Sequence, residues 1–88
     1  MTIEEIRKRI SEIESEQADL RRKEVELKDR LYEVVRTDEE QFRIICREIE
    51  ETNDGWWKLM YERNELTYAL NELYMAKLDA KIKQILKD

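Results

Sequence analysis

The strongest constraint in this sequence is a spacing. From Ile3 to Val34, steps of three and four residues give Ile3, Ile6, Ile10, Ile13, Gln17, Leu20, Glu24, Leu27, Leu31 and Val34. The alternation is unbroken, and only Gln17 and Glu24 are polar. Such spacing lays a narrow apolar stripe along one side of a helix, as a coiled-coil seam requires. The residues between are mostly charged, so the stripe needs a second helix to cover it.

Charged residues make up 44% of the chain and apolar ones 41%, so 88 residues can bury only a thin core. Small, elongated domains bury little surface, and self-association is expected on that ground. The chain has no proline and one glycine, so helix breakers are nearly absent. A charged chain can also be disordered, but the sustained periodicity argues against that here. No stretch approaches the ~18 apolar residues of a membrane span, and no N-terminal export signal is visible. The single cysteine, Cys46, has no internal disulfide partner. That fits a reducing compartment, so a cytoplasmic protein is expected, in the host cytoplasm if a phage encodes it.

Local signals divide the chain. Thr2 followed by Glu5 reads as a capping box that starts helix 1, about residues 3–36. Thr37 with Glu40 repeats the pattern and starts helix 2, about 38–52, in which Phe42, Ile45 and Ile49 share a face. Thr52-Asn53-Asp54-Gly55 reads as a second break, with Asn53 or Asp54 capping helix 3, about 55–86. One face of helix 3 carries Leu59, Leu66, Leu70 and Leu73 and passes to Leu78, Ile82, Ile85 and Leu86. The other carries Trp57, Tyr61, Tyr68 and Met75, and one antiparallel partner cannot cover both. The expected fold is therefore all-α: a single domain, 1–88, in which three helices (long, short, long) form an antiparallel coiled-coil-like bundle completed by dimerisation. The alternative makes residues 38–86 one long helix bent at Gly55, which leaves a lopsided hairpin.

Within the seam, Gln17 and Glu24 are expected to set register, as buried polar seam residues do. Antiparallel pairing would place Glu24 near Arg63 or Leu66, inviting a Glu24–Arg63 ion pair. One of Trp56 and Trp57 is expected to close the core beside Leu31 and Val34, and the other to face helix 2 or solvent.

Catalytic and metal chemistry find little to work with. There is no histidine, which removes the commonest general base and metal ligand. Cys46 lacks an activating partner of that kind, and no glycine-rich phosphate loop is present. No catalytic, cofactor-binding or metal-binding residue is expected.

Net charge is -5, and its distribution is informative. Residues 1–36 hold ten acidic and nine basic side chains, residues 37–55 seven and two, and residues 56–88 five and six. The excess is confined to the middle, and direct nucleic-acid binding through a basic patch is not expected. Glu48, Glu50, Glu51 and Asp54 cluster where helix 2 should end. Acidic groups there oppose the helix dipole by ~0.3–1 kcal/mol each, which hints at use against a basic partner surface.

The leading expectation is a non-enzymatic protein–protein interaction module. It would be a small acidic helical regulator or inhibitor, of the kind phages and mobile elements encode, that self-associates as a homodimer or binds another protein. Its protein-binding candidates are Trp57, Tyr61, Tyr68 and Met75 together with Glu48, Glu50, Glu51 and Asp54. Tyrosine and tryptophan are enriched where interfaces concentrate their energy. A second expectation is acidic mimicry of nucleic acid by the 38–54 segment. No membrane or metal partner is expected.

A third expectation rests on resemblance. The long-short-long layout is similar to the all-helical chorismate mutases, which dimerise at about this length. Arg7 ahead of Ile10 and Ile13 looks like the family's helix-1 arginine, Asp38 stands where its second helix starts, and Thr67 and Asn71 resemble its Ser and Gln on the last helix. The resemblance implies a divergent enzyme of that kind. The sequence departs from the pattern at Glu24, where the family has a second arginine, and at Gln41 and Phe42, where it has an Arg-Glu pair. The loop lysine has no counterpart. A dianionic substrate needs those cations.

Overall fold

The computed structural model describes residues 1–87 and contains two α-helices, α1 (Ile3–Val34) and α2 (Glu39–Lys87), paired as an antiparallel hairpin. The described residues contain no strand.

α1 starts as its sequence dictates. Thr2 is the N-cap, and its hydroxyl oxygen accepts from the Glu5 backbone N–H at 3.1 Å. The same hydroxyl donates to the Glu5 carboxylate at 3.0 Å, completing a local pair at the positive end of the helix. All ten seam residues from Ile3 to Val34 are buried or half-buried, and Ile6, Ile13, Gln17 and Leu27 are buried.

α1 ends two residues earlier than expected. The amides of Thr37 and Asp38 both donate to the Val34 carbonyl, closing a tight turn over residues 35–38. Asp38, not Thr37, caps α2: its carboxylate accepts from the Gln41 N–H at 3.1 Å, and its carbonyl accepts from the Phe42 N–H. The cap falls one residue later because Asp38 has Gln41 three residues on, the same spacing that Thr37 has to Glu40.

The long-short-long bundle is not what forms. α2 runs through Thr52-Asn53-Asp54-Gly55 without a break, so helices 2 and 3 are one helix of 49 residues. At ~1.5 Å per residue such a helix is about 73 Å long. The molecule measures 77 × 16 × 14 Å, which leaves no room for a marked bend at Gly55. The reason lies in the α1-facing residues of α2. Phe42, Ile45, Ile49, Thr52, Trp56, Leu59, Arg63, Leu66, Leu70 and Leu73 keep the three-four alternation in one phase across the supposed turn. A turn there would have split that seam. The polar residues are absorbed locally: the Thr52 hydroxyl donates to the Glu48 carbonyl at 2.8 Å, four residues back in the same helix. No described residue has positive φ, Gly55 included.

The register follows from the short turn. The Gln17 side-chain amide donates to the Trp56 carbonyl at 3.4 Å, and Leu20 lies against Gly55. Arg9 grips Glu62 with two parallel bonds, Nε to Oε2 at 2.7 Å and a terminal nitrogen to Oε1 at 3.2 Å. On the other flank of the seam Arg63 pairs with Glu14 at 3.1 Å. The expected Glu24–Arg63 pair is thus excluded. Glu24 lies one turn beyond Leu20 and pairs within its own helix, with Arg21 at 2.7 Å and Lys28 at 2.9 Å. Those two cations, Lys28 foremost, hold the Glu24 carboxyl below its ordinary value. The Arg9 hydrogen bond does the same for Glu62. In return the Arg9 guanidinium is held above its usual range, chiefly by its bond to Glu62.

Candidate functional site

α2 is longer than α1, and the excess lies at its C-terminal end. The N-terminal residues Met1, Thr2 and Ile3 share an apolar cleft with Leu73, Ala76 and Ala80. From Met75 onward every described residue of α2 is exposed. The last stretch, beyond about residue 77, extends past the start of α1 by roughly 15 Å at ~1.5 Å per residue.

The aromatic face lies on this helix. Trp56 and Trp57 part as adjacent helical residues must. Trp56 is half-buried, with the Arg21 guanidinium 4.2 Å from its ring centroid. It sits at the level of Gln17, mid-hairpin, not beside Leu31 and Val34. Trp57 is exposed and meets the Trp56 ring edge-to-face at 5.0 Å. Trp57, Tyr61, Tyr68 and Met75 share one face, and all four are exposed.

That face is longer than the four residues suggest. The seam toward α1 continues past Leu73 as Lys77 and Ala80, so Leu78, Ile82 and Ile85 do not extend it. They fall on the aromatic stripe instead, which reads Trp57, Tyr61, Asn64, Tyr68, Asn71, Met75, Leu78, Ile82, Ile85 in steps of four and three. The stripe lies roughly 150° around the helix from the α1-facing seam, at ~3.6 residues per turn. Its seven apolar members are between 43% (Ile82) and 68% (Tyr68) exposed. Sequence reasoning missed the last three. Applying the heptad count to α2 as well as α1 would have found them.

The acidic candidates fall into two groups. Glu50 and Asp54 precede Trp57 on the same stripe, at spacings of four and three, and Glu51 borders them. Glu48 is half-buried on a neighbouring face, and its carbonyl accepts the Thr52 hydroxyl. No helix ends near these residues, so their carboxylates oppose no helix terminus, and the dipole reason for singling them out lapses. Comparison with protein-family models, curated proteins and solved structures found no match. The two-helix layout also removes the long-short-long order on which the resemblance to chorismate mutases was based.

The described residues contain no cluster of acidic, cysteine or histidine side chains placed to hold a metal ion. None of their helices is long and apolar enough to cross a membrane. Cys46 is half-buried. The one prominent feature left is an apolar and aromatic stripe with no covering element, carried on a helix whose opposite side is fixed by α1.

Proposed function

We propose that this chain is a non-enzymatic protein–protein interaction module, a small acidic helical regulator or inhibitor, and that its working surface is the outer face of α2. The observation that carries this reading is the exposure of Trp57, Tyr61, Tyr68 and Met75 on a single helix face. Large apolar side chains exposed singly are ordinary, but a contiguous row of them marks a contact site. Aromatic residues serve such sites well because they bring large area with few rotatable bonds. α1 supports the surface by holding α2 from behind, so the face is presented on a fixed scaffold.

Light scattering across a concentration series, with circular dichroism alongside, is the test. Trp57→Ala and Tyr68→Ala should weaken self-association or partner binding while leaving helix content unchanged, because both side chains point away from α1. Unchanged oligomeric state and unchanged binding in both variants would refute the aromatic-face reading.

A further inference from the structure

We infer that the occupant of this face is a second copy of the chain, packed antiparallel along α2. This rests on the interaction-module reading above and commits it to one partner and one geometry.

Area is the first argument. The exposed parts of the seven apolar stripe residues amount to on the order of 800 Å², which is what a stable interface of standard size buries on each partner. A single foreign side chain or short peptide would leave most of that uncovered.

Self-complementarity is the second. The stripe is aromatic in its first half and aliphatic in its second. Two copies related by a two-fold axis between Ala69 and Leu70 bring those halves together. Trp57 of one copy then faces Ile82 of the other, Tyr61 faces Leu78, Asn64 faces Met75, and Tyr68 faces Asn71. The Trp57–Ile82 and Tyr61–Leu78 layers thus set a larger group against a smaller one, as interdigitated packing prefers, while Ile85 at the end of the stripe faces Asp54. A parallel in-register pairing would stack Trp57 on Trp57 and Tyr61 on Tyr61.

Charge weighs against the parallel orientation. The overhanging end of α2 carries Lys77, Lys81, Lys83 and Lys87 against one described acid, Asp79. On the two-fold above it lies along residues 52–62 of the partner, which carry Asp54 and Glu62 against Lys58, while Glu48, Glu50 and Glu51 fall past the end of the described helix. Parallel pairing sets acids on acids and lysines on lysines, which opposes association. Nearer the centre Lys58 lies between Asp79 and Lys81 of the partner and Glu65 lies near Glu72, so those flanks add little either way. Of the acidic cluster only Asp54 enters this contact, opposite Ile85. The overhang, uncovered by its own α1, gains a partner.

The test uses the full chain with Cys46→Ser. Light scattering should show a dimer that dissociates on dilution. A concentration-independent monomer of full helix content would overturn the second copy, and would leave the interaction-module reading to its own alanine variants. Single-cysteine proteins Asn64→Cys and Met75→Cys, mixed and treated with a short thiol crosslinker, should give chiefly the mixed product. Self-products from each protein alone would overturn the antiparallel geometry.

Discussion

Replacing Gly55 by alanine should stabilise this protein, and the sign of that change tests the fold directly. Gly55 lies inside α2, with a backbone any L residue can adopt. A Cβ built there meets only the Leu20 Cδ1 atom, at 3.6 Å, an ordinary contact distance. Two effects then add. Helix propensity favours alanine over glycine by ~0.8–1.0 kcal/mol in a helix interior. The new methyl packs against Leu20 in a half-buried place, worth about half of the ~0.8 kcal/mol of a fully buried methylene. Together they give about 1–1.5 kcal/mol. For a domain of this size that raises the melting temperature by about 5–10 °C. The assay is thermal unfolding followed by circular dichroism at 222 nm, with wild type and variant at the same protein concentration because association shifts apparent stability. A fall in melting temperature would refute the reasoning. It is the expected result if the chain turned at Thr52–Gly55 with glycine in a left-handed conformation, where alanine is strained.

Four further outcomes follow from the same geometry. Gln17→Leu should raise the urea midpoint, because it replaces a buried amide held by one 3.4 Å bond with an apolar seam residue; a lower midpoint would show that the Gln17–Trp56 contact outweighs burial. Tyr74→Phe should be neutral or stabilising by up to about 1 kcal/mol, since the Tyr74 hydroxyl is buried without a partner; a loss above that would reveal a bond the hydroxyl makes. Acid should destabilise the hairpin. The carboxyls of Glu62 and Glu24 are held below their ordinary values, so the stability they contribute is present above the unfolded carboxylate range and is lost as pH falls through their folded values. Glu62→Gln should flatten the acid limb of a midpoint-against-pH curve, and an unchanged limb would remove Glu62 from that account. Truncation after Ala80 should leave the unfolding midpoint of the monomeric hairpin nearly unchanged, because the removed residues lie beyond the cleft shared with Met1, Thr2 and Ile3, while self-association should fall sharply.

Much of this architecture was legible in the residues. The α1 stripe from Ile3 to Val34 and the Thr2 cap were readable because each depends on spacing within one helix. The error at Thr52–Gly55 came from weighing four turn-favouring residues above the heptad phase that passes through them. Thr52 and Trp56 hold positions in a seam covered by α1, and tertiary packing of that seam outweighs local preference. The Glu24–Arg63 pairing failed for a related reason: cross-helix register depends on where the turn closes, and a break that did not form displaced the partner. The exposed aromatic residues could be named from sequence. The extent of their stripe could not, because the phase of Leu78, Ile82 and Ile85 relative to α1 depends on α2 being continuous.

The tight turn at residues 35–38 also sets an order of folding and of fraying. The seam positions beside it, Leu31 and Val34 on α1 and Phe42 and Ile45 on α2, are only about a dozen residues apart in the chain. A contact near the open end, the Arg7 guanidinium 5.4 Å from the Tyr74 ring centroid, joins residues far apart in the chain. Loop-closure entropy grows with loop length, so pairing starts cheaply at the turn and zips outward. Amide hydrogen exchange should therefore be slowest in the helical residues flanking the turn, around Leu27 and Ile45, and should quicken toward both the N-terminus and the overhang. The outer face of α2 crosses this gradient. Trp57 stands on the tighter part and Ile85 on the loosest, so whatever covers the stripe must also order the last turns of the helix.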